Sequence, residues 1–306
     1  MRPPVVHMYT TPWPYEYYTA YGIPAVVRIG AKRYNTAMTI IEAIILGVVQ
    51  GMTEFLPVSS TGHLILTRTL FGITDGNALA FDAVLHLATA AAVILYFFPD
   101  IWLLVQAALR KLGKLPVNPR DEMLLYSLLV ATIPAVILGL SLESLMESVF
   151  RSPLLVAGVL IAGAGLFAYA EWVYQKKPRT NIINKTKGLK IGLFQSLALI
   201  PGMSRSGATI AGGMLLGLSR VEAARFAFLL AVPVITGAGL KKFLEMISSD
   251  EAITWAPILS GAVVSFFVGL FAIHFMLSFV KTHTLWPFIW YRIILASFVI
   301  FITVFG

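Results

Sequence analysis

Six uninterrupted apolar stretches, near residues 80–99, 122–143, 153–175, 220–245, 254–280 and 284–305, are each long enough to cross a bilayer, which takes about 20 residues of helix. A chain that carries them is a polytopic membrane protein, and its spans must be helices, because lipid offers no partner to an unpaired backbone N–H or C=O. Composition agrees: 58% of the residues are hydrophobic and 12% charged, against about 25% charged in soluble domains. The formal charge of +8 sits in short loops between apolar runs, where Lys and Arg set membrane orientation, so it does not indicate a nucleic-acid partner. With no cysteine, disulfides, Cys-type zinc sites and thiol catalysis are excluded.

Two other regions, about 38–72 and 188–218, are apolar but broken by polar, Gly and Pro residues. Each reads as two short helices meeting at a polar break, a re-entrant hairpin, which is tolerated only where the break is buried in protein or lines a wet cavity. The breaks resemble each other. Gln50 leads to Pro57, Ser60 and Gly62, and Gln195 leads to Pro201, Ser204 and Gly207, with spacings that differ by one residue; Phe81 and Phe226 come after them. One hairpin and three crossings, twice over, give an inverted repeat because three is odd. The expected fold is therefore all-α and integral to the membrane: six transmembrane helices plus two re-entrant helical hairpins in an inverted-topology repeat, with halves at about 38–175 and 188–306.

Residues 1–37 stand apart. They hold Tyr9, Tyr15, Tyr17, Tyr18, Tyr21 and Tyr34 and the helix-opposing Pro3, Pro4, Pro12, Pro14 and Pro24, without an apolar run long enough for a signal-peptide core. They are expected to form an irregular tail ahead of one membrane domain, 38–306; Met38, at the head of the first apolar helix, is a second candidate initiator. Arg110, Lys111, Lys114 and Arg120 share one side of the membrane with Lys176, Lys177, Arg179, Lys185, Lys187, Lys190 and Lys281, which makes that side cytoplasmic. The opposite loops carry Asp75, Glu143, Glu147, Asp250 and Glu251 against Arg151, and Lys241 and Lys242 argue weakly the other way.

Charged groups at bilayer depth are costly and persist where they are paired or functional. Glu54, His63 and Arg205 are the leading candidates, ahead of Glu42, Asp82, His86, Glu171, Glu222, Arg225 and Arg292. Gln50 and Glu54 are four apart and share a helix face. Pro57 ends that helix, and Ser59, Ser60 and Thr61 offer hydroxyls and unpaired N–H groups at the start of the next, a ready anion site. The bland reading is a Ser/Thr cap with a snorkelling Glu. At the second break, Ser204-Arg205-Ser206-Gly207-Ala208-Thr209 combines a guanidinium, which grips phosphate through a fork of donors, with hydroxyls from Ser204, Ser206 and Thr209. Here the bland reading is an Arg205–Glu54 pair kept for structure, which would itself require the breaks to meet.

Gln50-x3-Glu54 followed by Phe-Leu-Pro-Val-Ser-Ser-Thr-Gly-His, with Pro-Gly-x-Ser-Arg-Ser-Gly-Ala-Thr further on, closely resembles the undecaprenyl-diphosphate phosphatases of the bacitracin-resistance type. The resemblance runs over 38–306 and takes in Phe81-Asp82-Ala83-Val84-Leu85-His86, Phe228-Leu229-Leu230-Ala231-Val232-Pro233 and Tyr291-Arg292. It implies a plasma-membrane hydrolase that removes the terminal phosphate of a C55 polyprenyl diphosphate, giving the monophosphate carrier used for cell-wall glycans. The family's six crossings and two hairpins agree with the pattern of long and broken stretches, and its site is expected to open outward. At the first acidic position, where the family takes Glu or Gln, Gln50 supplies a neutral ligand in place of a second carboxylate.

On that basis Arg205 is expected to clamp phosphate beside Ser59, Thr61, Ser204, Ser206 and Thr209, with Glu54, assisted by Gln50, holding a divalent cation, Mg²⁺. Ser60 and His63 lie one helical turn apart, so the imidazole is expected to take the serine proton. A phosphoseryl intermediate and direct attack by water, with His63 or Glu54 as base, both stay open. A secondary transporter or lipid flippase is the rival, since broken helices in inverted repeat are its usual form; a non-catalytic membrane subunit is a third reading. Gly158, Gly163 and Gly165 suit a homodimer contact and internal packing equally.

Overall fold

The computed structural model describes residues 38–73, 78–142, 152–176, 178–248 and 253–305. The tail 1–37 and the loop residues Asp75, Glu143, Glu147, Arg151, Lys177, Asp250 and Glu251 lie outside them. Every regular element among the described residues is helical: α1 (Ile40–Phe55), α2 (Ser60–Phe71), α3 (Ala78–Tyr96), α4 (Phe98–Leu112), α5 (Pro119–Ser141), α6 (Pro153–Lys176), α7 (Lys185–Ser196), α8 (Arg205–Leu215), α9 (Arg220–Ile247), α10 (Trp255–Thr282) and α11 (Trp286–Phe305), with a 3₁₀ turn at Leu197–Leu199. Six of them, α3, α5, α6, α9, α10 and α11, are long and apolar enough to cross a membrane, within a few residues of the six stretches read from sequence.

The interrupted regions are pairs of short helices. α1 opens on a capping box between Thr39 and Glu42, which satisfies two orphan N–H groups at once. It stops at Leu56, whose extended backbone is what a following proline imposes. Ser59 then caps α2, accepting from Gly62 N. In the second pair Asn184 caps α7, the 3₁₀ turn and Pro201-Gly202 break the chain, and Ser204 caps α8 by accepting from Gly207 N. Ser59 and Ser204 both hold positive φ, 78° and 74°, a region that non-glycine residues enter rarely.

α1 packs along α10 and α7 along α5, α3 lies on α9 and α10, and α6 on α11. Glycines permit the two closest approaches. A Cβ on Gly47 would strike the Gly261 carbonyl, and one on Gly192 would strike the Ala131 carbonyl. These contacts carry the ends of α1 and α7 into the middle of the bundle, where the two breaks meet. Gly202 N donates to Ser59 Oγ at 3.1 Å, and Ser206 Oγ donates to the Leu56 carbonyl at 3.1 Å. Phe55 and Phe228 pack edge to face nearby, centroids 5.5 Å apart.

α4 differs from the expectation. The sequence ends its first apolar crossing near residue 99, and the basic residues 110–120 suggest a plain loop up to the second crossing. The chain instead starts a new helix with Pro99 in its first turn and Arg110 and Lys111 in its last. Phe98, Trp102, Leu103, Leu109 and Leu112 are exposed along it, and Asp100 binds Arg225 of α9 at 2.7 Å.

Candidate active site

Glu54, on the last turn of α1, is 5% exposed. Its Oε2 accepts from Ser60 Oγ at 2.6 Å and from Gln50 Nε2 at 3.0 Å; its Oε1 accepts from Arg205 Nη2 at 3.0 Å. The helical spacing that puts Gln50 and Glu54 on one face is therefore realised as a bond. Arg205, the first residue of α8, also donates through Nη1 to the Ala227 carbonyl at 3.1 Å, while its buried Nε has no partner among the described residues. The carboxylate, a serine hydroxyl and a guanidinium thus converge where the N-termini of α2 and α8 come together, two positive dipole ends suited to an anion.

His63 is placed otherwise than its spacing suggests. Its Nδ1 donates to the Ser59 carbonyl at 2.7 Å, so Nε2 is the free lone pair, and that accepts from the Tyr291 hydroxyl at 2.7 Å. The expected Ser60–His63 pair is not formed: the serine proton points at Glu54 and both ring nitrogens are engaged. The cause is local, since the carbonyl four residues back is the nearest acceptor to a helical imidazole.

The remaining hydroxyls divide by role. Ser59 Oγ accepts from both Gly62 N and Gly202 N. Ser204 Oγ caps α8 and lies 3.2 Å from Ser206 Oγ, and Thr209 donates back to the Arg205 carbonyl at 2.7 Å. Thr61 is exposed on the first turn of α2. By cap geometry Ser204 corresponds to Ser59 rather than to Ser60, which correctly registers the two breaks and sets Ser60 opposite Arg205.

Two residues of the site are not singled out by sequence reasoning. His86 of α3, which spacing alone leaves as a structural histidine, brings Nε2 to 3.5 Å from Glu54 Oε2, with Nδ1 on the Asp82 carbonyl at 2.7 Å. Arg292, ranked among the lesser charges, is fully buried behind both breaks. The motif Phe81-Asp82-Ala83-Val84-Leu85-His86 was the available signal for His86, and Tyr291-Arg292 for the other. The rest of the lesser charges are tied up structurally: Asp82 with Arg68 at 2.7 Å, Arg225 with Asp100, Glu171 with Arg220 and the Leu285 N–H, Glu222 in the first turn of α9.

A hard cation asks for oxygen donors. Among the described residues no group of three or more His, Asp or Glu side chains is set to hold one. The donors present are the Glu54 carboxylate and the buried Gln50 Oε1, which has no hydrogen-bond partner. Turning that amide over would set its carbonyl beside Glu54. This sparse all-oxygen set fits Mg²⁺, which keeps most of its waters and binds through one or two protein oxygens plus substrate phosphates.

Comparison with known proteins shows the family. The family model for bacitracin resistance protein BacA matches residues 43–298. Curated proteins named undecaprenyl-diphosphatase are similar over nearly their whole length. That of Trichlorobacter lovleyi is 44% identical, covering 84% of this chain and 94% of its own; that of Desulforudis audaxviator is 43% identical, covering 85% and 97%; that of Moorella thermoacetica is 41% identical, covering 86% and 97%. The match spans both breaks and five of the six long helices and reaches into the sixth, α11, and the chain belongs to the bacitracin resistance protein BacA family.

Proposed function

We propose that this protein is an undecaprenyl-diphosphatase, an integral membrane hydrolase that takes the terminal phosphate from undecaprenyl diphosphate and so supports bacitracin resistance. The observation that carries this reading is the grip of Ser60 and Arg205, from two different breaks, on the buried carboxylate of Glu54. Phosphoryl transfer asks for positioning and charge neutralisation more than for elaborate covalent machinery, and this arrangement offers both.

The terminal phosphate binds between the N-termini of α2 and α8, where Arg205, with its spare Nε donor, and the hydroxyls of Thr61, Ser204 and Ser206 can reach it; Ser59 and Thr209 hold the surrounding backbone. Ser60 Oγ attacks the terminal phosphorus as its proton passes to Glu54 Oε2. The bond to the bridging oxygen breaks, and the departing lipid phosphate takes that proton. Water then attacks the phosphoserine with Glu54 as base, and the proton returns to Ser60 as inorganic phosphate leaves. His63 fixes the Ser59 carbonyl and is a positioning group. Mg²⁺ held by Glu54 and Gln50 would supply positive charge to the diphosphate oxygens.

We further infer that α1–α2 and α7–α8 are re-entrant hairpins of an inverted repeat within one membrane unit, 38–306. In support, one and the same interval separates Gln50 from Gln195, Ser59 from Ser204, Gly62 from Gly207 and Phe81 from Phe226. The packing is reciprocal too: each hairpin's first helix lies on the middle crossing of the other half, α1 on α10 and α7 on α5. The basic loops after α4 and α6 put that face in the cytoplasm of a plasma-membrane protein, and the α1–α2 hairpin then admits substrate from outside.

The same architecture would serve a transporter, so the test separates the two. Purified protein in proteoliposomes loaded with a long-chain polyprenyl diphosphate, with and without Mg²⁺, is assayed for free phosphate and for lipid movement between leaflets. Phosphate release is the expected result. Lipid movement without it would contradict the hydrolase reading.

A further inference from the structure

Arg292 of α11 takes no part in the chemistry above, yet it is the largest fully buried side chain among the described residues. All five of its N–H groups are spent on backbone carbonyls. Nε donates to Leu160 at 3.1 Å, Nη1 to Pro57 at 3.3 Å and Met203 at 3.2 Å, and Nη2 to Gly202 at 2.8 Å and Val159 at 3.4 Å. Pro57 belongs to the first break, Gly202 and Met203 to the second, and Val159 and Leu160 to α6. The guanidinium also lies over the Phe167 ring, 4.8 Å from its centre. No carboxylate pairs with it among the described residues.

A cation buried without a counter-ion is expensive, and ion pairing does not account for this one. What it does have is irregular backbone. A break in a helix leaves carbonyls without N–H partners, and in an apolar bundle each needs a donor. A single planar fork meets those of both breaks at once, which a lysine, with a compact point charge and three donors, cannot do. We propose that Arg292 is a positioning residue: it holds the two breaks in register so that Ser60, on one, and Arg205, on the other, converge on the same phosphate.

Gly163 of α6 supplies the space. A Cβ there would overlap the Arg292 guanidinium, the far end of a flexible side chain, so a methyl group would push the fork off its carbonyls while leaving it in the protein. Gly163→Ala therefore displaces the fork without removing its charge, and alanine itself suits a helix interior better than glycine.

The kinetic part of the test rests on the diphosphatase reading; the exchange part does not. Wild type, Gly163→Ala, Arg292→Lys and the double variant are purified, matched for folded fraction by thermal melting, and assayed for phosphate release from a polyprenyl diphosphate. Displacing the fork is expected to lower kcat by about 10²-fold, the usual cost of a misplacement near 1 Å, with KM changed by no more than about threefold. Arg292→Lys keeps the charge and is expected not to rescue, and the two substitutions together should cost little more than either alone, because they disable one device. A purely structural arginine would instead lower the folded fraction and leave kcat per folded molecule unchanged. In parallel, backbone hydrogen exchange is followed at residues 57–62 and 200–207; in Gly163→Ala it should rise at both breaks together while the long helices stay protected. Wild-type kcat in Gly163→Ala or in Arg292→Lys overturns the proposal, as does unchanged exchange at either break, whatever the activity. An inactive wild type contradicts the diphosphatase reading alone and leaves exchange to decide on the clamp.

Discussion

A carboxylate withdrawn from water among apolar helices persists only if other donors replace the water it has lost. Glu54 has Ser60, Gln50 and Arg205 within 3.0 Å, and His86 at 3.5 Å. On the proposed mechanism that donor set makes Ser60 the group whose proton moves to the carboxylate and leaves His63 to hold backbone. Ser60→Ala is therefore expected to reduce turnover to the level that charge stabilisation alone supports, whereas His63→Ala keeps a larger share; steady-state rates on thermally matched samples check the order, and the reverse order would restore His63 as the base. The Gln50–Glu54 face and the Ser-Arg-Ser turn were legible because each is a local pattern on one helix or one turn. The Ser60–His63 spacing, equally local, misleads, since the Ser59 carbonyl competes for the ring and the carboxylate reaches Ser60 from the preceding helix. His86 and Arg292 come from α3 and α11, whose motifs flag the two residues but say nothing of where they end, beside Glu54 and behind the breaks.

Apolar length made the six long helices readable, and polar breaks made the two pairs of short helices readable, because both signals are local in the chain. α4 was not readable as a crossing or a hairpin: it is one short helix of 15 residues, apolar along most of its length and basic only in its last turn. Its exposed Trp102, Leu109 and Leu112 with Arg110 and Lys111 at the end suit a helix lying at a membrane surface. How closely elements approach was also beyond the sequence, since glycine marks tight contacts and open faces alike. Gly192→Ala drives a methyl into the Ala131 carbonyl and is expected to cost about 1–3 kcal/mol, as overpacking does. Gly158→Ala meets nothing within 4 Å and is expected to be neutral or slightly stabilising. Thermal melts of the two variants side by side check this, and equal melting points would contradict the packing.

At the scale of the whole molecule the two short-helix pairs each pack on a long helix distant in sequence, α1 on α10 and α7 on α5, an exchange that the proposed inverted repeat would explain. The orientation proposed from the basic loops has a direct test, because the chain has no cysteine of its own. In intact cells an impermeant maleimide is expected to label Thr254→Cys, at the head of α10, and to spare Lys187→Cys, at the start of α7, until the membrane is opened. The opposite pattern would invert the topology and turn the α1–α2 hairpin toward the cytoplasm.

The most direct measurement is phosphate release from a long-chain polyprenyl diphosphate by purified wild-type protein beside Glu54→Gln and Arg205→Ala. Steady release by the wild type, lowered at least ~10²–10³-fold in each variant while both remain folded, is what one charge-stabilising group is worth and what the shared carboxylate requires. Wild-type rates in either folded variant would show that phosphate is handled elsewhere.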